Sequence, residues 1–350
     1  MAKNTALVAG ALGVVGRATM TYLADKPDWD VIGLSRRAPD FQTAARFLQL
    51  DLTGATACRE ALRDLTDITH VFYCAYAPRA TVAEEVEPNL AMLQNLMSGL
   101  EPVTSNLSHV QLVHGSKWYG CHLGTYKTPA REDDPRPATP CFYFDQQDWL
   151  EAHQKGKQWS WSAVRPHGIC GFAVGSPISQ LSLLASFGSI APHLGRPLSF
   201  PGKLGAFRSL YQTTEASYLG EAMTWIATTR QCANEAYNVT NGDTFRWEQL
   251  WPEFARFFGV AQGPVDTLDL IQFIEENAQT WESIREKHQL QDYRLSELAS
   301  GKFGNWVYST DYDIVSSTTK LRQAGWHKMV DSEAMYPRLL AELRAQRIIP

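Results

Sequence analysis

The sequence predicts an α/β fold: a doubly wound parallel sheet of the Rossmann type, with a smaller C-terminal substrate lobe. Three observations predict it. Short apolar runs alternate with helical patterns through the first half of the chain, the signature of βαβ units and a parallel sheet. Runs such as V-I-G-L and H-V-F-Y-C are continuously apolar, β-branched or aromatic, as suits strands buried on both faces. A glycine-punctuated turn follows the first such run and opens a helical pattern.

The elements follow in order. Residues 5–9 predict a first strand, then the glycine turn and an amphipathic helix to residue 25. Second, third and fourth strands are expected at 30–34, 47–50 and 69–74. A long helix over 86–100 leads to a fifth strand at 109–114, and a sixth at 161–165 is stopped by Pro166. Beyond Gly171 the pattern changes: Gly, Ser and Pro become frequent, and isolated short strands such as P-L-S-F-P-G and E-A-Y-N-V-T mix with helices. Residues 268–298 read as polar, charged helix. The expected division is a nucleotide-binding domain over 1–170 and, over 171–350, mainly a substrate-binding lobe from which some segments return to the sheet. That lobe is expected against the C-terminal edge of the sheet, where open α/β sheets bind ligands.

Composition bounds the function. The 350 residues are 44% apolar and 20% charged, enough to bury a core without a disulfide or metal staple. The net charge of −5, with no run of like charges, argues against a broad footprint for nucleic acid or an anionic membrane. Cys58, Cys74, Cys121, Cys141, Cys170 and Cys232 include no C-x-x-C pair, which argues for reduced thiols over a disulfide framework or zinc site. His114 and His122 lie near Lys117 without a companion ligand pattern, so no metal site is expected. There is no secretory-signal layout and no apolar run of membrane-spanning length. A cytoplasmic protein is expected, with homodimerisation left open.

The glycine turn reads Gly10-Ala11-Leu12-Gly13-Val14-Val15-Gly16. Glycines here allow a tight turn, close approach of backbone to a pyrophosphate, and close helix–strand packing. The N–H groups of the helix start then face the phosphates. At the end of the second strand an acidic residue would accept ribose hydroxyls, whereas basic residues suit a 2′-phosphate. The residues are Ser35, Arg36 and Arg37, and the planar, permanently charged guanidinium points to NADPH. Asp51 and Leu52 are placed near the adenine, Ala75 and Tyr76 beside the ribose and pyrophosphate, and Ile169 as a backbone contact near the nicotinamide.

Reductases of this fold usually pair a proton-donating tyrosine with a lysine that lowers its pKa, in Y-x-x-x-K spacing. Tyr22 and Lys26 match the letters but lie on the first helix, away from the nicotinamide end. After the fifth strand no match occurs. Lys117 in G-S-K-W-Y-G and Tyr143 in F-Y-F-D-Q-Q-D, at a helix start, are the candidates instead. His167 in R-P-H-G reads as a packing residue; Trp118, Phe142, Trp149 and Phe172 read equally as a cluster able to line an apolar pocket or as core, and none is assigned to binding.

These residues carry a resemblance. The motifs G-S-K-W-Y-G, F-Y-F-D-Q-Q-D, W-S-A-V-R-P-H-G-I-C-G-F, P-L-S-F-P-G and A-N-E-A-Y-N-V-T-N-G-D-T-F-R-W-E-Q-L-W resemble the progesterone 5β-reductase and iridoid synthase family, an atypical branch of the extended short-chain dehydrogenases. The stretch H-L-G-T-Y-K-T-P-A-R-E-D-D-P-R is similar to its microbial and fungal members. The resemblance implies that Lys117 and Tyr143 work together, as nicotinamide-ribose contacts and as the catalytic pair. The family motif is F-Y-Y-x-x-E-D; here Phe144 replaces the second tyrosine and Gln147 the glutamate. The resemblance also implies reduction of an activated C=C bond in an enone, 4-en-3-one steroid-like or smaller. Hydride goes to the β-carbon, and the tyrosine and lysine stabilise the enolate oxygen. Two rivals stay open: carbonyl reduction by the same pair, and an NADP-sensing regulator without turnover.

Overall fold

The computed structural model describes residues 3–176 and 178–350. The N-terminal half runs β1 (Asn4–Ala9), α1 (Val14–Ala24), β2 (Trp29–Ser35), β3 (Arg46–Gln49), α2 (Ala55–Leu62), β4 (His70–Tyr73), α3 (Val82–Leu100), β5 (His109–Val113), α4 (Phe142–Gln154) and β6 (Ser160–Arg165). It continues through β7 (Ile169–Cys170), α5 (Gln180–His193), β8 (Leu198–Phe200), α6 (Leu204–Arg208), β9 (Thr214–Glu215), α7 (Ala216–Thr228) and β10 (Glu235–Asn238). The remainder is α8 (Trp247–Phe257), β11 (Gln262–Val265), α9 (Leu270–Glu276), α10 (Ala278–His288), α11 (Leu295–Leu298), α12 (Gly301–Ser309), α13 (Thr319–Gln323) and α14 (Ser332–Ala345).

Seven strands form one parallel sheet in the order β10-β6-β5-β4-β1-β2-β3. The order reverses after β3, so β1 and β4 flank the switch point where such sheets bind ligands beyond their C-terminal ends. The two faces bury separate cores. On one, Leu62 of α2, Leu93, Leu96 and Met97 of α3 and Leu150 of α4 cover Leu7, Val71, Val110 and Leu112. On the other, Met20 and Leu23 of α1 and Leu219, Met223 and Ile226 of α7 cover Ala6, Val8, Phe72 and Val164. Helices α1 and α7 meet at Gly220, where a Cβ would stand 3.0 Å from Thr19 Cα.

The stretch 235–240, grouped by composition with the C-terminal lobe, supplies β10 and pairs with β6 along Glu235–Asn238. Ala236, Tyr237 and Asn238 are buried there, and an edge position suits a run so short. β8 and β11 pair with each other in a separate two-stranded sheet. The core around them is aromatic: Phe200, Phe245, Trp247, Trp251, Phe254, Tyr308 and Tyr336 are all almost fully buried. Helix α3 begins four residues before the expected start because Thr81 and Glu84 form a reciprocal capping box. Among the described residues no helix is long and apolar enough to cross a membrane.

Candidate functional site

The expected site residues all lie at or just beyond the C-terminal ends of β1 to β6. After β1 the chain turns at Gly10, whose φ of +79° favours glycine and whose Cβ would lie 2.7 Å from the backbone at Cys74 and Ala75. A Cβ on Gly16 would collide with the Gly10 carbonyl at 2.2 Å. Gly13 differs. Its backbone is extended, and a Cβ there would meet only the Gly10 carbonyl at 3.4 Å. Its side-chain position therefore opens outward. Gly13 is the N-cap of α1 without a side-chain cap, and the first turn holds no acidic residue. The first N–H groups of the helix and its positive dipole end thus stay available to an anion. Leu12, Val14 and Val15 bury their side chains, which leaves their backbone N–H groups to face a phosphate. These features fit a dinucleotide pyrophosphate.

At the end of β2 Ser35 is half-buried, while Arg36 and Arg37 are exposed. Arg36 keeps its guanidinium outside the described hydrogen bonds, its carbonyl accepting from Gln49 Nε2 at 2.9 Å. Arg37 is tied across to the lobe: its Nη2 donates to the Val174 carbonyl at 2.9 Å. A third cation, Arg17 of α1, approaches the same loop, ion-paired to Asp40 at 3.4 Å and stacked 3.9 Å over Phe41. The sequence reading missed it because one arginine after the glycine turn carries no pattern of its own. Asp51 accepts from Thr53 N and Oγ1, each at 2.9 Å. The Thr53 N–H, chiefly, holds its carboxyl below the usual range, with Arg36 a smaller cause. Leu52 is buried.

Beyond β4 Ala75 is half-buried, and Tyr76 donates its hydroxyl to Glu85 of α3. Glu85, which the sequence reading passed over, is 5% exposed. Tyr76 stacks on Phe142 at 5.5 Å, Phe142 meets Tyr143 edge-on at 4.4 Å, and Tyr143 meets His114 at 4.9 Å. This aromatic column fixes the Tyr143 ring on the first turn of α4.

Lys117 sits in a single 3-10 turn over Ser116–Tyr119, directly after β5. It is half-buried, and no carboxylate stands within ion-pair distance of it among the described residues. It lies two residues beyond Gly115, where a Cβ would stand 3.3 Å from the Tyr143 hydroxyl, so both residues belong to the C-terminal end of β5. The Tyr143 hydroxyl has no protein hydrogen-bond partner among the described residues, yet is not among the occluded orphan polar atoms. It is therefore not sealed off from solvent. Burial, then Cys141, Tyr76 and Glu85, push Tyr143 well above the usual tyrosine range, which favours the neutral phenol.

The chain after β6 passes close to the glycine turn. A Cβ on Gly171 would lie 2.8 Å from Val14 Cγ1, and Ile169 packs with Val14. His167, 4% exposed, shares a hydrogen bond with Ser116; burial takes its pKa down to about 3. It is a packing residue. Gln147, which replaces the expected carboxylate, accepts from Arg165 at 3.2 Å and donates to Glu151 at 2.7 Å. Arg165, 2% exposed, lies 3.6 Å over Trp118 and also donates to Tyr119 and the Glu132 carbonyl.

The four aromatic residues do not assemble into a pocket. Trp118 is enclosed by His114, Phe144 and Arg165. Trp149 stacks on His153 and packs against the sheet core. Phe172 lies 6.0 Å from Tyr293, on the arginine side. Only Phe142 adjoins Tyr143, and it is 4% exposed. The four are spread along different elements, and an unaligned sequence cannot report which of their faces are already covered. No group of three or more His, Cys, Asp or Glu residues arranged to hold a metal occurs among the described residues.

Fold and site together define a member of the short-chain dehydrogenase/reductase class. Residues 47–350 match the model of the PRISE-like Rossmann-fold domain, and the chain belongs to that family. A relative from Arabidopsis thaliana, named 3-oxo-Delta(4,5)-steroid 5-beta-reductase, is 30% identical over 99% of this chain and 94% of its own. The (S)-8-oxocitronellyl enol synthase CYC2 of Camptotheca acuminata is 29% identical over the same shares. The short chain dehydrogenase gsfE of Penicillium aethiopicum is 28% identical over 99% of both chains. Among solved structures, a UDP-glucose 4-epimerase of Thermotoga maritima superposes with a TM-score of 0.70 at 15% identity, over 97% of this chain and 99% of its own. That likeness concerns the fold.

Proposed function

We propose that this chain is an NADPH-dependent reductase of activated C=C bonds, acting on enones of steroid-like or smaller size. One observation carries the reading: a tyrosine hydroxyl without a protein partner among the described residues, and not occluded, stands against Gly115, two residues before Lys117. A steroid 5-beta-reductase and an enol synthase among the relatives support the substrate class. NADPH supplies the hydride. The α1 N-terminus with Gly10, Gly13 and Gly16 holds the pyrophosphate, and Arg36 and Arg37 take the 2′-phosphate.

Tyr143 donates a hydrogen bond to the substrate carbonyl oxygen, which gains charge as the β-carbon is reduced. The Lys117 ammonium adds a positive field and holds the ribose. A donor aimed at developing oxyanion charge contributes about 2.7–4 kcal/mol. Because Tyr143 is held neutral, it needs no deprotonation before it acts. The test is incubation of purified protein with NADPH and a panel of enones, followed by product identification. A saturated carbonyl product supports the reading. An allylic alcohol moves the chain to carbonyl reduction, and absence of turnover across the panel removes the reductase assignment.

A further inference from the structure

Gly115 connects β5 to the lysine turn, and its backbone gives no reason for glycine. With φ −173° and ψ 179° it is extended, a conformation any residue adopts. The reason lies in what a side chain would meet. A Cβ at this position would stand 3.3 Å from the Tyr143 hydroxyl oxygen, 3.8 Å from Tyr143 Cε2 and 3.6 Å from the Pro166 carbonyl oxygen. The nearest atom is thus the functional hydroxyl itself.

Tyr143 has little freedom to retreat. Phe142 lies against its ring at 4.4 Å and His114 at 4.9 Å; the His114 ring is stacked in turn on Trp118 at 5.4 Å, and its backbone N–H is bonded to the Val164 carbonyl at 2.8 Å. A contact of 3.3 Å is tighter than carbon and oxygen accept without a shift of some tenths of an ångström. Because the ring is braced, the shift falls on the hydroxyl.

We infer that Gly115 is a positioning residue for the reaction. Its missing side chain keeps the Tyr143 hydroxyl where it stands and free of any protein partner, so that the substrate's carbonyl oxygen becomes its acceptor. This rests on the reductase reading. Alanine at 115 displaces the donor; serine places an Oγ within reach of the same hydroxyl and competes with the substrate for it. The effect falls chiefly on kcat, since the glycine turn and the two arginines lie on other loops and the Lys117 ammonium that holds the ribose keeps its charge.

The test is a double-mutant cycle of Gly115→Ala and Tyr143→Phe, read by single-turnover NADPH oxidation, NADPH titration and thermal unfolding. In the native background Gly115→Ala lowers the rate by about tenfold, a fraction of the hundredfold to thousandfold that loss of one oxyanion donor costs. NADPH affinity stays unchanged. In the Tyr143→Phe background the oxygen that the Cβ meets is gone, so adding Gly115→Ala leaves the rate where Tyr143→Phe put it. An unaltered rate in Gly115→Ala, or an equal loss in both backgrounds, overturns the inference. Unfolding reads the same contact without turnover: the destabilisation by Gly115→Ala disappears when the hydroxyl is absent. If no enone or carbonyl is reduced by the unmodified protein, the reductase reading fails while this stability coupling still stands. Absence of coupling in unfolding and in rate removes Gly115 from its role.

Discussion

Tyr143 is a side chain whose surroundings decide its protonation state more than its own chemistry does. Burial and the neighbouring Cys141, Tyr76 and Glu85 all disfavour the phenolate. The sign follows directly: a raised pKa keeps the neutral, donating form present at every pH below it. Turnover therefore holds level as pH rises from 7 to 9, measured at saturating cofactor and substrate, and a fall with a midpoint in that interval would mean that Tyr143 ionises within it. Lys117→Met slows turnover and also weakens NADPH, because the ammonium serves both carbonyl oxygen and ribose; unaltered affinity in a cofactor titration would confine it to the oxygen. At the other end of the cofactor, replacing Arg36 and Arg37 with alanine costs NADPH on the order of 1.5–3 kcal/mol for a charge-assisted contact and spares NADH. Equal dissociation constants for the two cofactors in the unmodified protein would sink that assignment. The Arg37 bond to the Val174 carbonyl means that a phosphate there competes with an existing partner, whereas Arg36 has none to lose.

At the scale of elements, the turn between β1 and α1 was legible because each glycine answers a separate geometric demand. Gly10 and Gly16 are compelled by backbone contact, whereas a Cβ on Gly13 meets only the Gly10 carbonyl at 3.4 Å, so the proposed pyrophosphate is what would demand glycine there. Gly13→Val therefore folds, since its extended backbone and open Cβ position accept a branched side chain, and loses nucleotide binding. Circular dichroism beside an NADPH titration checks both halves; full affinity would show that the phosphate lies elsewhere. The strands at the centre of the sheet were legible from unbroken apolar runs. The start of α3 was missed although its capping box, Thr81 with Glu84, is written in the sequence. The aromatic cluster stayed open for a different reason. Whether Trp118 faces substrate or the guanidinium of Arg165, 3.6 Å away, depends on a contact between residues 47 apart in sequence, and no local pattern carries that. Nothing local marks Gly115 either, because the atom that demands it belongs to α4.

Over the whole molecule, the two halves are locked together at the mouth of the sheet, and buried histidines make that fold sensitive to acid. His109, held between Ser160 and Ser162, has its pKa taken down to about 3 by burial and then by His70. His70 is taken to about 4 and His167 to about 3, both by burial. Their folded pKa values lie below the unfolded value, so the unfolded chain binds more protons once pH falls below about 6.5. Stability is unaffected above that point and is lost below it, at about 1.4 kcal/mol per pH unit for each such group. Thermal midpoints between pH 7 and 4 check this: His109→Gln reduces the slope, and an unaltered slope would place the acid sensitivity elsewhere. That some segments after residue 170 return to the sheet was expected from the sequence, but that 235–238 is one of them was not, since four residues pairing at an edge leave no periodic signal.

The claim on which the account turns is that the Tyr143 hydroxyl is the donor to the substrate oxygen. Tyr143→Phe removes that one group from a ring already braced by Phe142 and His114, so the fold survives. The measurement is single-turnover NADPH oxidation with a reactive enone, alongside cofactor titration. The account predicts a rate lowered about a hundredfold to a thousandfold, by the magnitude for one oxyanion donor, with NADPH affinity little altered. An enone reduced by Tyr143→Phe at the rate of the unmodified protein would make the tyrosine structural and contradict the account.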